Sequence, residues 1–126
     1  MAGLSNYLED KLINHVLRNT SYTPATAVYL ALFTSNPTDA DTGSEVSGGS
    51  YARQSVAFSA SSSGSSSTSS SVSFASMPAA TITHVGVYDL SSGGNLLFHG
   101  ALSASTAVAS GDTFTIQAND LQISLA

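Results

Sequence analysis

Residues 82–100, ITHVGVYDLSSGGNLLFHG, contain two apolar stretches separated by a short turn. The first, 82–90, is rich in β-branched and aromatic residues, which are enriched in strands. The turn, 91–95, holds two adjacent glycines, and glycine readily adopts the positive φ angles of tight hairpin turns. Residues 96–102 are again apolar and can pair back on the first stretch. This segment therefore predicts an antiparallel hairpin at the centre of a β domain.

Short alternating segments continue this pattern on both sides of the hairpin. Residues 27–34 are apolar on both alternating faces, which indicates a strand covered by the sheet core on one side and by a helix on the other. The other alternating segments are 51–60, the stretch around Val72 and Phe74, 113–118 and 121–125. Because turn residues separate them, we expect a mainly β fold: an antiparallel β-sandwich or jelly-roll-like barrel.

One amphipathic α-helix is predicted before the β domain, over residues 4–18. An apolar residue recurs at every fourth position, at Leu4, Leu8, Leu12 and Val16. Asn6 with Glu9 three residues later resembles a capping box, and Ser5 is the competing cap. The apolar stripe either covers the sheet or docks on a partner subunit.

The most unusual segment is 59–71, in which ten of thirteen residues are serine. Its composition is typical of a flexible linker. Dividing the chain there, however, leaves two pieces too small to fold stably, and there is no cysteine to crosslink either. We therefore expect one domain over 1–126, with the helix at 4–18 and the sandwich at 27–126.

Within that domain, we expect the serine-rich run to be the loop of an exposed hairpin. The hairpin would join 50–60 and 71–76 as neighbouring antiparallel strands, with its tip at Gly64 or at 65–67. Serine keeps hydrogen-bonding groups on the surface without adding charge. Such a hairpin could lie flat on a neighbouring subunit.

The charge composition limits the classes of partner. Charged residues make up 9% of the chain, against about 25% in ordinary soluble domains, which suits a protein packed against other subunits. A net charge of −5 with three Lys and Arg residues disfavours nucleic acid. The N-terminus lacks the features of a secretory signal, and no apolar run is long enough to span a bilayer, so no membrane partner is expected.

Candidate chemical sites are weak. His84 and His99 lie on the two strands of the hairpin with Asp89 nearby, but their separation does not match a zinc motif. The chain has no Gly-x-Ser-x-Gly nucleophile elbow, and the acidic segment 39–45 lacks the ligand spacing of a calcium loop. We therefore expect no catalytic residue, no metal, no cofactor and no enzymatic activity.

Several ordered segments carry a family resemblance that spans essentially the whole chain. The most specific are 29–34 with 36–38 (NPT), 48–53 (GGSYAR), 83–89 (THVGVYD) and 92–97 (SGGNLL). In these, the sequence resembles a family of small structural proteins of tailed bacteriophages that are usually labelled phage tail fibre protein. The resemblance implies a virion component without enzymatic activity.

Coiled-coil heptads and repeated fibre motifs are absent from the sequence, so we predict a capsid cement (decoration) protein. It would bind the outer capsid surface as a homotrimer and stabilise junctions between major capsid proteins through many modest contacts. The alternative is a tail-fibre or baseplate module that binds another tail protein or a host glycan. Both hypotheses place the protein in the virion, assembled in the cytoplasm of a bacterial host.

Six residues are candidates for the partner interface. Tyr51 and Arg53 are chosen because tyrosine and arginine are enriched at binding hot spots. The alternative for Arg53 is a surface strand residue that pairs with Glu45 or an aspartate. The helix contributes its contact or core face: Leu4, Tyr7, Leu8 and Leu12.

Overall fold

The computed structural model describes residues 2–125. It confirms a mainly β fold with antiparallel sheets and one helix near the N-terminus. The elements are β1 (Ala2–Leu4), α1 (Asn6–Leu17), β2 (Val28–Phe33), β3 (Gln54–Val56), β4 (Ser65–Ser67), β5 (Val72–Phe74), β6 (Ala80–Tyr88), β7 (Leu96–Val108), β8 (Phe114–Ile116) and β9 (Gln122–Ser124).

The predicted hairpin forms the middle of the larger of two sheets. The seven strands of this sheet have the order β3-β2-β6-β7-β1-β9-β4, and the second sheet consists of β5 and β8. In the hairpin, Gly86 of β6 lies opposite His99 of β7. The Asp89 carboxylate accepts a hydrogen bond from the backbone N–H of Asn95 at 2.7 Å, which closes the turn. The pairs are antiparallel except β1 with β9, which is parallel.

The two sheets pack face to face over a shared apolar core, which is the arrangement of a sandwich. The buried residues include Leu30, Leu32, Ile82, Val85 and Val87 from the larger sheet and Val72, Phe74, Phe114 and Ile116 from the smaller one. An isolated bridge between Phe58 and Thr68 links the segments that follow the two edge strands. The edge strands β3 and β4 themselves do not pair, so the larger sheet is not a closed barrel.

Strand β2 is buried on both faces, as its sequence predicts, but the helix does not provide the second cover. Ala31 and Phe33 instead form a smaller cluster with Tyr88 and Leu96. The Phe33 and Tyr88 rings stack, with their centroids 6.3 Å apart. Helix α1 packs mainly against β7 and β1.

Helix α1 begins two residues later than predicted, because Leu4 is held in β1 by pairing with β7. Ser5, not Asn6, is the N-cap: its backbone is extended, and its Oγ accepts a hydrogen bond from the N–H of Leu8 at 3.2 Å. The same hydroxyl donates to the carbonyl of Leu96. One buried serine therefore starts the helix and joins it to the central hairpin.

Replacing Ser5 with alanine is expected to lower the free energy of unfolding by about 1–2 kcal/mol, the upper part of the range for a lost N-cap. The change removes the cap and also leaves the buried Leu96 carbonyl without its donor. Urea unfolding followed by circular dichroism measures the difference. Ser47→Ala, at an exposed loop position, is the control. Equal unfolding free energies for both variants would contradict the role assigned to Ser5.

The expected pairing of 50–60 with 71–76 is wrong. Strand β3 pairs with β2, and β5 pairs with β8. Alternation shows that both segments are strands, but it does not identify their partners. The partner of β5 is set by the core, where the Phe74 ring contacts Tyr51 on one side and Phe114 on the other.

The serine-rich run forms a hairpin of its own between these strands. Phe58 lies opposite Thr68, and Ser62 lies opposite Ser65 at the tip. The two residues between them, Ser63 and Gly64, both have positive φ, 53° and 77°, as a type I′ turn requires. The returning strand, β4, pairs with β9 at the edge of the larger sheet.

Candidate interface residues

Arg53 lies in a hydrogen-bonded cluster within the chain. Its Nε and Nη2 donate to the two carboxylate oxygens of Glu45, each at 2.9 Å, so the pairing with Glu45 is confirmed. Its Nη1 donates to the carbonyl of Leu90 at 3.0 Å and to that of Gly93 at 2.7 Å. The guanidinium carbon lies 3.7 Å from the centroid of the Tyr88 ring, a cation–π contact. The side chain of Arg53 is 9% exposed.

Tyr51 joins the same cluster from the other side of the carboxylate. Its hydroxyl donates to Glu45 at 2.8 Å and accepts the backbone N–H of Leu32 at 3.0 Å. Tyr88 donates its hydroxyl to Asp41 at 2.6 Å. The cluster therefore connects strand β2, the loop through residue 45 and the turn of the central hairpin.

These contacts give Arg53 and Tyr51 a structural role, since their polar groups are already bonded within the chain. A role in partner binding stays a prediction for both. In such a role the cluster would hold the 90–93 turn and the 41–45 loop in a fixed relation, so that these segments, rather than the guanidinium, would make the contact.

The cluster makes stability sensitive to alkaline pH. Burial raises the pKa of Tyr88 above its usual value of 10, and the hydrogen bond to Asp41 adds to the shift. Burial also raises the pKa of Tyr51. Above about pH 10 the unfolded chain loses these protons while the folded chain keeps them, so the free energy of unfolding falls as pH rises.

The slope is at most about 1.4 kcal/mol per pH unit for each tyrosine, and smaller where solvent screens the group. Urea unfolding at several pH values between about 9 and about 11 measures it. Tyr88→Phe is expected to flatten the curve, whereas Tyr29→Phe, outside the cluster, should leave it parallel to that of the parent. Identical curves for parent and Tyr88→Phe would contradict this account.

The predicted contact or core face of the helix is at least partly covered within the chain, and a role in partner binding stays a prediction for its four residues. Leu8 is buried, and the other predicted residues, Leu4, Tyr7 and Leu12, are half-buried. The exposed apolar side chains lie in the last turns: Ile13 is 54% exposed, Val16 71% and Leu17 77%. The periodicity identified the helix, but one 12-residue helix carries more apolar surface than its own sheet covers.

His84 and His99 contact polar side chains of the same chain. His84 Nδ1 lies 2.8 Å from the hydroxyl of Thr83, and His99 Nε2 lies 2.7 Å from a carboxylate oxygen of Asp39. Within residues 2–125, His, Asp and Glu side chains form no group of three or more that could hold a metal ion. Over the same residues, no helix is long and apolar enough to cross a membrane.

The sequence of this chain matches a known protein family. The family model described as podophage GP4 fiber I protein gp80 matches residues 3–124, which include the helix and strands of both sheets. The chain therefore belongs to this family of phage fibre proteins, as the sequence resemblance implied. None of the curated proteins matches the sequence.

Proposed function

We propose, from its membership of a phage fibre family, that this chain is a non-enzymatic subunit of the tail-fibre apparatus of a bacteriophage. The observation that carries the proposal is the extent of the family match, residues 3–124. The protein would act by holding virion components together, and its partners would be other tail proteins. This is the alternative that was considered from the sequence, and the description of the family as a fibre protein supports it.

The surface of the protein suits such a role. Only 9% of its residues are charged, so few charges would need to be desolvated when another subunit covers it. The last turns of α1 expose Ile13, Val16 and Leu17. Elsewhere on the surface, the Arg53 cluster holds the 90–93 turn in place. Several modest contacts made at once would give stable attachment through avidity.

A capsid cement protein is the second candidate, and the low charge favours it equally. In that role the chain would bind the outer capsid surface, as a homotrimer, and bridge neighbouring major capsid proteins. The two candidates differ in location and in copy number, which makes them separable on intact particles.

Immunogold labelling of intact virions tests the proposal. An epitope inserted at the exposed turn around Ser63 and Gly64 gives the antibody access away from the core. We expect gold at the tail only, and a band intensity far below that of the major capsid protein on a gel of purified particles. Labelling over the whole head, with a copy number approaching that of the major capsid protein, would replace the fibre proposal with the cement one. Absence of the protein from particles would overturn both.

A further inference from the structure

Strand β1 and helix α1 together form an N-terminal arm, residues 2–17, which is bound to the body of the protein, residues 28–125. Strand β1 pairs with β7 and with β9. The N–H of Asn6 donates to the carbonyl of Asp39 at 2.8 Å, and Ser5 adds its hydrogen bond to the start of β7. The site that receives the arm is therefore built entirely from the body.

The connector between the arm and β2, residues 18–27, is bonded to the arm and not to the body. Within residues 2–125, every hydrogen bond of the connector goes to α1. The N–H of Thr20 donates to the carbonyl of Asn14 at 3.1 Å, and Nδ1 of His15 lies 3.1 Å from the carbonyl of Thr20. Residues 21–26 make no hydrogen bond in that same range, and most connector side chains are exposed. A segment held so weakly can change its path at little cost.

The sequence of the connector favours an extended path. Pro24 fixes its own φ, and its ring disfavours the helical region for Thr23, so the middle of the connector is biased towards extended backbone. At about 3.3 Å per residue, residues 18–27 fully extended span on the order of 30 Å, which is the diameter of a small domain. The connector is therefore long enough to carry the arm to a neighbouring copy.

We propose that the arm is exchanged between copies of this chain, so that β1 of one copy lies between β7 and β9 of another. Because the exchanged segment has the same sequence, every contact between arm and body is kept. The closed and exchanged forms then differ in the connector and in the entropy of association. A short linker gives an effective concentration on the order of 1 mM, so exchange needs copies packed side by side, as in a particle. The inference goes beyond the proposed function and holds for head or tail.

Exchange also explains the exposed apolar end of α1. Ile13, Val16 and Leu17 are all more than half exposed, and Leu17 directly precedes the connector. In a reciprocal exchange the two connectors pass each other at the two-fold axis between the copies, so the residues next to them face the partner copy. The last turns of the two helices would then cover each other. The occupant of this apolar surface is thus the same surface of a second copy.

Refolding two single-cysteine variants together tests the exchange. The chain has no cysteine, and Gly3 of β1 lies opposite His99 of β7. A Cβ added at Gly3 meets no atom within 4 Å, so Gly3→Cys fits the closed fold. Full-length Gly3→Cys and His99→Cys chains are mixed in urea and refolded at about 1 mM. We expect a disulfide-linked heterodimer on a non-reducing denaturing gel, because only an arm bound to another copy brings the two cysteines together.

A pair within the body is the matched control. Ser73 of β5 lies opposite Thr115 of β8, with their hydroxyl oxygens 3.0 Å apart, and neither residue belongs to the arm. Ser73→Cys and Thr115→Cys chains refolded together should therefore give only the heterodimer of random encounters. A yield for the arm pair no higher than for this control would overturn the proposal. Light scattering on the unaltered chain is independent of the substitutions, and a monomer at about 1 mM would overturn it as well.

Two leucine variants test whether the helix ends meet in the exchanged form. Leu17→Asn removes an apolar side chain at the proposed contact and is expected to raise the dissociation constant of the exchanged form at least threefold. Leu90→Asn makes the same change at a residue that is 53% exposed in the turn of the central hairpin, and it should leave the constant unchanged. Unfolding free energies establish that both variants are folded. Equal dissociation constants for the two variants would overturn the assignment of the helix ends to the contact between copies.

Discussion

Replacing Phe74 with alanine is expected to lower the free energy of unfolding by about 3–5 kcal/mol. Phe74 is 1% exposed and lies on β5, in the smaller sheet. Its ring stacks on Tyr51 with centroids 6.0 Å apart and meets Phe114 at 6.4 Å. Truncation leaves a cavity in the shared core that joins the two-stranded sheet to the larger one. Because small domains are stable by only about 5–15 kcal/mol, the variant should be close to unfolding.

Urea unfolding measured by tyrosine fluorescence and by circular dichroism gives this difference. Phe74→Leu should lose less than half as much, since it keeps most of the apolar volume. Ser73→Ala is the surface control: Ser73 lies on the exposed face of the same strand, where its hydroxyl bonds to that of Thr115. A loss below about 1 kcal/mol for Phe74→Ala would mean that the two layers do not share a core.

Arg53→Ala should produce the second largest effect, a loss of about 2–3 kcal/mol. The guanidinium makes two bonds to Glu45 and two to backbone carbonyls of the hairpin turn. Its removal leaves the Glu45 carboxylate, whose side chain is 27% exposed, without its counter-charge. That partial exposure keeps the loss below the 3–5 kcal/mol of a fully buried broken pair.

A double-mutant cycle with Glu45→Ala separates the pair from the other contacts. We expect a coupling energy of about 1–2 kcal/mol, with the rest of the loss coming from the turn carbonyls and the Tyr88 ring. Arg53→Lys keeps the charge but not the planar fork, so it should recover only part of the loss. Lys11→Ala, at an exposed cation over the Tyr7 ring, is the control. Full recovery by lysine would show that charge alone explains the role of Arg53.

Local sequence patterns predicted the elements of this fold well. The alternation and glycine turn of 82–100 located the central hairpin, and the doubly apolar run around Leu30 located β2. The partners of the short strands were not predictable in this way. Three-residue strands such as β5 and β8 carry too few side chains to specify a register, so the core decides which of them pair. The later start of α1 has a similar cause, because pairing with β7 holds Leu4 in a strand.

The candidate site was predicted only in part. The Arg53–Glu45 pair was considered from the sequence, but its contacts with the 90–93 turn join residues that are about forty positions apart.

The parallel pairing of β1 with β9 has a consequence for mechanical load. Residues 2 and 125 lie at opposite ends of these two neighbouring strands. A pull on both ends therefore draws β1 and β9 past each other along their axes, and the hydrogen bonds that hold β1 to β7 and β9 resist together in shear. A pull applied across the serine-rich hairpin would open its bonds one after another. The direction of force therefore decides which part of this small protein yields first.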